Sequence, residues 1–98
     1  MAAYVVFIRE GEIVDHEAMA AYRDGNQAGP PDPDMKVHTV YGAMETIEGE
    51  GADGIVILEF PSYERAREWY YGPYNERAKL RQQAAPYRGF IVDGGFGG

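Results

Sequence analysis

The sequence predicts a single α+β domain covering residues 1–98, on three observations. Tyr4–Ile8 and Ile55–Phe60 are rich in β-branched and aromatic residues, the composition of strands. The segments after Asp15 and after Ser62 carry apolar residues at helical spacing. At Pro61-Ser62 the apolar period switches, so strand passes directly into helix.

The elements follow in order. Ala2 to Ile8 is apolar, lacks a basic leader and meets Arg9 and Glu10 at once, so it reads as a first strand rather than a signal peptide. Glu10-Gly11-Glu12 ends it. Asp15 is placed to N-cap a helix with Glu17 in its first turn, and Ala18, Met19 and Tyr22 form its apolar stripe. Gly25 is the expected stop. Asn26–Met35, with Gly29, Pro30, Pro31 and Pro33, is a loop. Lys36–Ile47 is predicted as one long strand, with a bulge or close backbone approach at Gly42-Ala43. Glu48–Gly54 is a polar, glycine-rich turn before the strand Ile55–Phe60. Ser62 caps a second helix with Glu64 in its first turn and Ala66, Trp69 and Tyr70 facing inward. Gly72-Pro73 breaks that helix, because Pro73 has no N–H to donate. Tyr74–Gln83 restarts it, with Tyr74, Ala78 and Arg81 on one side, and Pro86 closes it. Phe90-Ile91-Val92 is a last short strand, and residues 94–98 form a glycine-rich tail, mobile unless docked.

Strand, helix, strand, strand, helix, strand is the split βαβ, ferredoxin-like plan, with a four-stranded antiparallel sheet. Two helices cover only one face of such a sheet. An antiparallel sheet with a wet face alternates apolar and polar residues, yet 4–8 and 55–58 are apolar throughout. A homodimer packed sheet to sheet is therefore expected; the plainer alternative is short central strands that tolerate exposed apolar side chains.

Charge and composition exclude several function classes. Nine basic residues stand against sixteen acidic ones, a net charge of −7, which argues against a nucleic-acid phosphate backbone or an anionic membrane as partner. With no cysteine there are no disulfides, thiolate zinc sites, iron–sulfur sites or thiol nucleophiles, and a cytoplasmic location is expected. No segment approaches the ~20 apolar residues of a membrane span.

Motif matches are weak. Gly49-Glu50-Gly51-Ala52-Asp53-Gly54 fits G-x-G-x-x-G in letters, but a dinucleotide site needs a helix after it and here a strand follows. His16-Glu17-Ala18-Met19-Ala20 begins like H-E-x-x-H and has Ala20 where the second zinc-binding histidine belongs. Asp32 and Asp34 lack EF-hand spacing, and the only serine, Ser62, is best used as a cap. No metal and no cofactor are expected. A haem site is a minor option, with His38 or His16 as the axial ligand.

Two readings of function remain. In the first, the chain is a cofactor-independent enzyme acting on a small apolar or aromatic metabolite by proton transfer, isomerisation or oxygenation. His38 or Glu59 is the base, Tyr41 orients the substrate, and Arg81 binds a carboxylate or enolate. Trp69, Tyr70 and Tyr74, with Tyr71, line the pocket. In the second, the protein is a non-catalytic small-ligand-binding or structural dimer. His38 is then an ordinary strand histidine, the aromatic cluster is core packing, and Arg81 makes a surface ion pair with Glu76 or Glu68.

Glu59-Phe60-Pro61-Ser62, Ala66, Trp69-Tyr70, Pro73-Tyr74 and Leu80-Arg81 together resemble the pattern of the domain of unknown function 1330 family. Tyr4–Arg9 and Tyr41-Gly42-Ala43-Met44-Glu45 through Glu48-Gly49 are similar to one branch of it, so the resemblance covers nearly the whole chain. It implies membership of the dimeric α/β-barrel superfamily, with a ferredoxin-like protomer and a homodimer whose two sheets form a barrel. Relatives in the wider superfamily include cofactor-free monooxygenases, lactone isomerases, haem-dependent enzymes and proteins without known activity. The family itself supplies no catalytic residues. Many members carry arginine just before the glycine pair of the second strand; Val40 and Tyr41 stand near that position here, so no role tied to that arginine carries over.

Overall fold

The computed structural model describes residues 1–95. Its elements are β1 (Ala3–Arg9), α1 (His16–Gln27), β2 (Lys36–Val40), β3 (Gly54–Phe60), α2 (Tyr63–Tyr71), α3 (Asn75–Ala84) and β4 (Tyr87–Asp93). The strands form one four-stranded antiparallel sheet in the order β2-β3-β1-β4. The domain is therefore α+β, with three helices. No helix among the described residues is long and apolar enough to cross a membrane.

Strand alternation decides the core. Ala3, Val5 and Phe7 of β1 and Val56, Leu58 and Phe60 of β3 point to the helix side and pack on Ala66, Trp69, Tyr74 and Ala78. A second, smaller cluster joins Ala18 and Met19 of α1 to Ala84 of α3, so α1 rests mainly against α3. The opposite face of the sheet carries Tyr4, Val6 and Ile8, with Ile55 and Ile57 beside them. Phe90 and Val92 extend this apolar face across β4 and are about half exposed, at 43% and 48%.

The helix boundaries have local causes. Asp15 accepts from the Ala18 N–H, and Ser62 accepts from the Arg65 N–H, as N-caps should. The Ala18 N–H and then the Gln83 amide hold the Asp15 carboxyl below its ordinary range. Gly72 terminates α2 and Pro73 separates it from α3, as the sequence predicts.

Three expectations need correction. α1 runs past Gly25 to Gln27, where the Ala28 N–H closes it on the Gly25 carbonyl. Gly25 serves a close approach instead: a Cβ there would stand 3.1 Å from Cδ of Arg77 on α3. β2 ends at Val40 rather than Ile47, because Tyr41 takes a φ of 55°, in the left-handed region, and a strand cannot continue through it. The bulge lies not at Gly42-Ala43 but between Val37 and Thr39, with His38 as the extra residue. The first two tail residues are placed: Gly94 donates to the Ala2 carbonyl at 2.8 Å, while 96–98 lie outside the described residues.

Candidate functional site

Among the described residues, two of the cavities on the helix side share a single lining residue, Phe7. The first, of about 370 Å³, exists because α1 leans on α3 and leaves β2 without a helix packed closely on it. Met19 and Tyr22 of α1, Met35 of the loop, Val37 and Leu58 of the sheet and Trp69 of α2 supply an apolar lining. The proline-rich loop roofs it. Arg65, next to the α2 cap, ties that roof down through ion pairs to Asp32 and, at 3.0 Å, to Asp34. The Asp32 contact first, with Asp34 behind it, holds the guanidinium more firmly protonated than usual.

Arg23, Asn26, Asp32 and Arg77 stand at this cavity too, and its other polar groups are phenols. Tyr22 and Tyr74 are hydroxyl to hydroxyl at 2.5 Å, and Arg81 Nε donates to the same Tyr74 oxygen at 3.1 Å. A guanidinium only donates, so Tyr74 accepts from Arg81 and keeps its own hydrogen for Tyr22 or a ligand. Tyr41 makes a second hydroxyl pair with Tyr87. Its ring lies on Gly54, where any Cβ would collide with it, so the glycine at the start of β3 is what admits the tyrosine. Burial raises the phenol pKa of both Tyr41 and Tyr74; Tyr87 adds to the rise for Tyr41 and Tyr22 adds to it for Tyr74. At neutral pH both are therefore hydroxyl donors and neither is a base.

This has a consequence at alkaline pH. The unfolded chain ionises its tyrosines near pH 10, while these two stay protonated in the fold to higher pH. Their contribution is whole below about pH 10 and is lost as the pH rises further. A tyrosinate absorbance step from Tyr74, which is 2% exposed, is expected to coincide with loss of far-UV circular dichroism. Ionisation of all eight tyrosines with the dichroism intact would contradict the burial of Tyr74.

The second cavity, of about 400 Å³, lies between α2, α3 and β4. Arg81 lines it and is 2% exposed. The break at Gly72-Pro73 sets the register of α3, placing Tyr74, Ala78 and Arg81 on one buried stripe. The Arg81 guanidinium stacks between Phe7 at 4.1 Å and Tyr87 at 4.6 Å. The expected surface pairing with Glu76 or Glu68 does not form, since Arg81 faces inward and Glu76 pairs with Lys79.

The sheet divides the catalytic trio read from the sequence. His38 Nε2 and Glu59 Oε1 are 2.8 Å apart on the helix-free face, beside Tyr4. Glu59 points there because Leu58 and Phe60 on either side point into the core, and the bulge carries His38 to it. Tyr41 lines the first cavity on the other side. The four ligand-binding candidates also separate: Trp69 and Tyr74 line the first cavity, Tyr70 and Arg81 the second. Tyr87, Met35 and the Arg65 tie were missed by sequence reasoning. Only Arg65, three residues after its cap, with two acids spaced i, i+2 in the facing loop, left a trace of its role. His16 and His38 line neither cavity. Among the described residues no group of three or more His, Asp or Glu is placed to hold a metal ion.

A four-stranded antiparallel sheet with helices on one face defines a small α+β domain. The sequence matches the family described as domain of unknown function (DUF1330) over residues 2–95, and the chain belongs to that family. No curated protein matches it. Among solved structures it is similar to the RPA0582 protein of unknown function from Rhodopseudomonas palustris. The TM-score is 0.62 at 23% identity, covering 98% of this chain and 84% of that one. A methylated form of the RPA0582 protein gives a TM-score of 0.63 at 22% identity, covering 99% of this chain and 83% of that one. At these identities the likeness is one of fold.

Proposed function

We propose that the protein is a homodimer that binds a small apolar or aromatic molecule beneath the proline-rich loop. The observation that carries this reading is the first cavity. Its lining is mainly apolar, with Arg23, Asn26, Asp32 and Arg77 among its residues, its size suits a small metabolite, and it offers the Tyr22–Tyr74 hydroxyl pair to orient what enters. Each protomer is read as ferredoxin-like, and the two helix-free faces as packed together in a dimeric α/β barrel. The row Ile57, Val6 and Phe90 across that face supports the packing, because water is a poor partner for it. The cysteine-free sequence supports a cytosolic setting.

The test is thermal denaturation with a panel of neutral arenes such as indole and naphthalene. Binding to the native state raises the Tm of the wild type. Val37→Trp, at the open β2 edge of the cavity, is expected to remove that rise. A panel that leaves the wild-type Tm unchanged, or a rise that survives Val37→Trp, refutes the reading.

A second reading, the cofactor-independent enzyme, rests on the His38–Glu59 contact alone. In the proposed dimer this pair faces the partner's sheet rather than a cavity of its own protomer, and Tyr41 lies across the sheet from it. Binding is therefore the conclusion preferred here. A substrate whose turnover disappears in His38→Ala and persists in Tyr22→Phe would reverse that preference.

A further inference from the structure

We propose that the second cavity is an anion site for an aromatic carboxylate, anchored by Arg81. The site is separate from the one proposed above, since the two cavities share only the ring of Phe7.

Among the described residues three of the nine basic side chains, all at least partly exposed, have a carboxylate partner: Arg65 with Asp32 and Asp34, Arg88 with Glu10, and Lys79 with Glu76. The other six have none, and of these Arg81 is the buried one, at 2% exposed. A guanidinium in water requires no counter-ion and a buried one does. The single hydrogen bond of Arg81 is from Nε to Tyr74. Its two terminal NH₂ groups, the planar fork that fits a carboxylate, have no acceptor among the described residues.

The surroundings agree. Among the described residues no aspartate or glutamate lines this cavity, in a chain with sixteen acids against nine bases. A second cation, Arg67, stands on its wall, stacked on Tyr71 at 5.0 Å and without an ion pair among the described residues. The remaining walls include Tyr63, Tyr70 and Tyr87, whose faces suit a flat apolar body rather than a bare inorganic anion. The missing counter-charge is thus supplied by the ligand: its carboxylate lies on the Arg81 fork and its ring against the tyrosines. About 400 Å³ accommodates a one- or two-ring acid.

Isothermal titration of the full chain with sodium benzoate and 2-naphthoate tests the site, with benzamide and 2-naphthamide as uncharged isosteres. The acids bind and the amides do not. Arg81→Lys keeps the charge and loses the fork, and it weakens the acids by about tenfold or more. Arg67→Gln, at an exposed position, weakens them severalfold and leaves the fold intact, so the proposal stays testable should Arg81→Lys fail to fold. Val37→Trp, which blocks the first cavity, leaves acid binding unchanged. The proposal is overturned if the amides bind as well as the acids, or if neither arginine variant changes the affinity. It also falls if Val37→Trp abolishes acid binding. Inorganic phosphate that binds with the same arginine dependence while both acids do not would equally overturn it.

Discussion

Replacing Trp69 by alanine is expected to destabilise the protein by about 3–5 kcal/mol, the usual range for emptying a large aromatic position in a core. Trp69 is 5% exposed, stacks on Tyr74 at 4.2 Å and meets Phe60 at 5.2 Å. The loss has three parts: the transfer energy of the indole, the aromatic contacts, and a cavity that the neighbouring rings cannot close. A domain of 98 residues has a total stability of roughly 5–15 kcal/mol, so the variant stands near the edge of folding. Urea denaturation followed by circular dichroism is the appropriate measurement, since the substitution removes the only tryptophan. Trp69→Phe, which keeps a ring on Tyr74, should retain more than half of the lost stability. A cost below about 1 kcal/mol for Trp69→Ala would mean that the α2–sheet packing is not the main core.

Val6→Asp is expected to convert the proposed dimer into a folded monomer. Val6 stands on central β1, between Ile57 of β3 and Phe90 of β4, on the face without helices. Within one protomer Val6 is partly exposed, so the new carboxylate reaches water and costs strand propensity and some packing. Across a two-fold interface the same substitution appears twice, and each copy buries a charge without a partner, at several kcal/mol apiece. Native mass spectrometry should show the dimer mass for the wild type and the monomer mass for the variant, with unchanged circular dichroism. A variant that remains dimeric would place the interface elsewhere on the surface. A wild type that is monomeric would leave the apolar face without an explanation.

The sequence made the secondary structure legible wherever one local rule acted alone. β1 and β3 followed from β-branched runs, and α1 and α2 from Asp15 and Ser62 as caps. The break at Gly72-Pro73 followed from proline chemistry. The misreadings arose where tertiary contact overrode a local signal. Gly25 looks like a helix stop, and it is a contact point for Arg77. Tyr41 looks like the middle of a strand, but its ring against Gly54 goes with a positive φ that ends β2. The candidate site was legible as a set of residues and not as an arrangement. Trp69, Tyr70, Tyr74 and Arg81 were singled out from the sequence, and each lines one of the two cavities. Their division between two cavities depends on where α1 rests, which no residue near them encodes. His38 and Tyr41, three residues apart, were read as neighbours, but the bulge at His38 and the turn at Tyr41 send them to opposite sides of the sheet.

The position of β1 bears on how the chain acquires its order during synthesis. Arg9 lies opposite Gly54 on one side and opposite Tyr87 on the other. β1 is thus flanked by the last two strands of the domain, and neither of its edges is satisfied until β3 has been made. No amino-terminal fragment that stops short of β3 contains a paired strand, and this long-range pairing makes acquisition of the fold a late event. A chain cut before Tyr87 would present β1 with an open apolar edge, ready to accept a strand from another molecule.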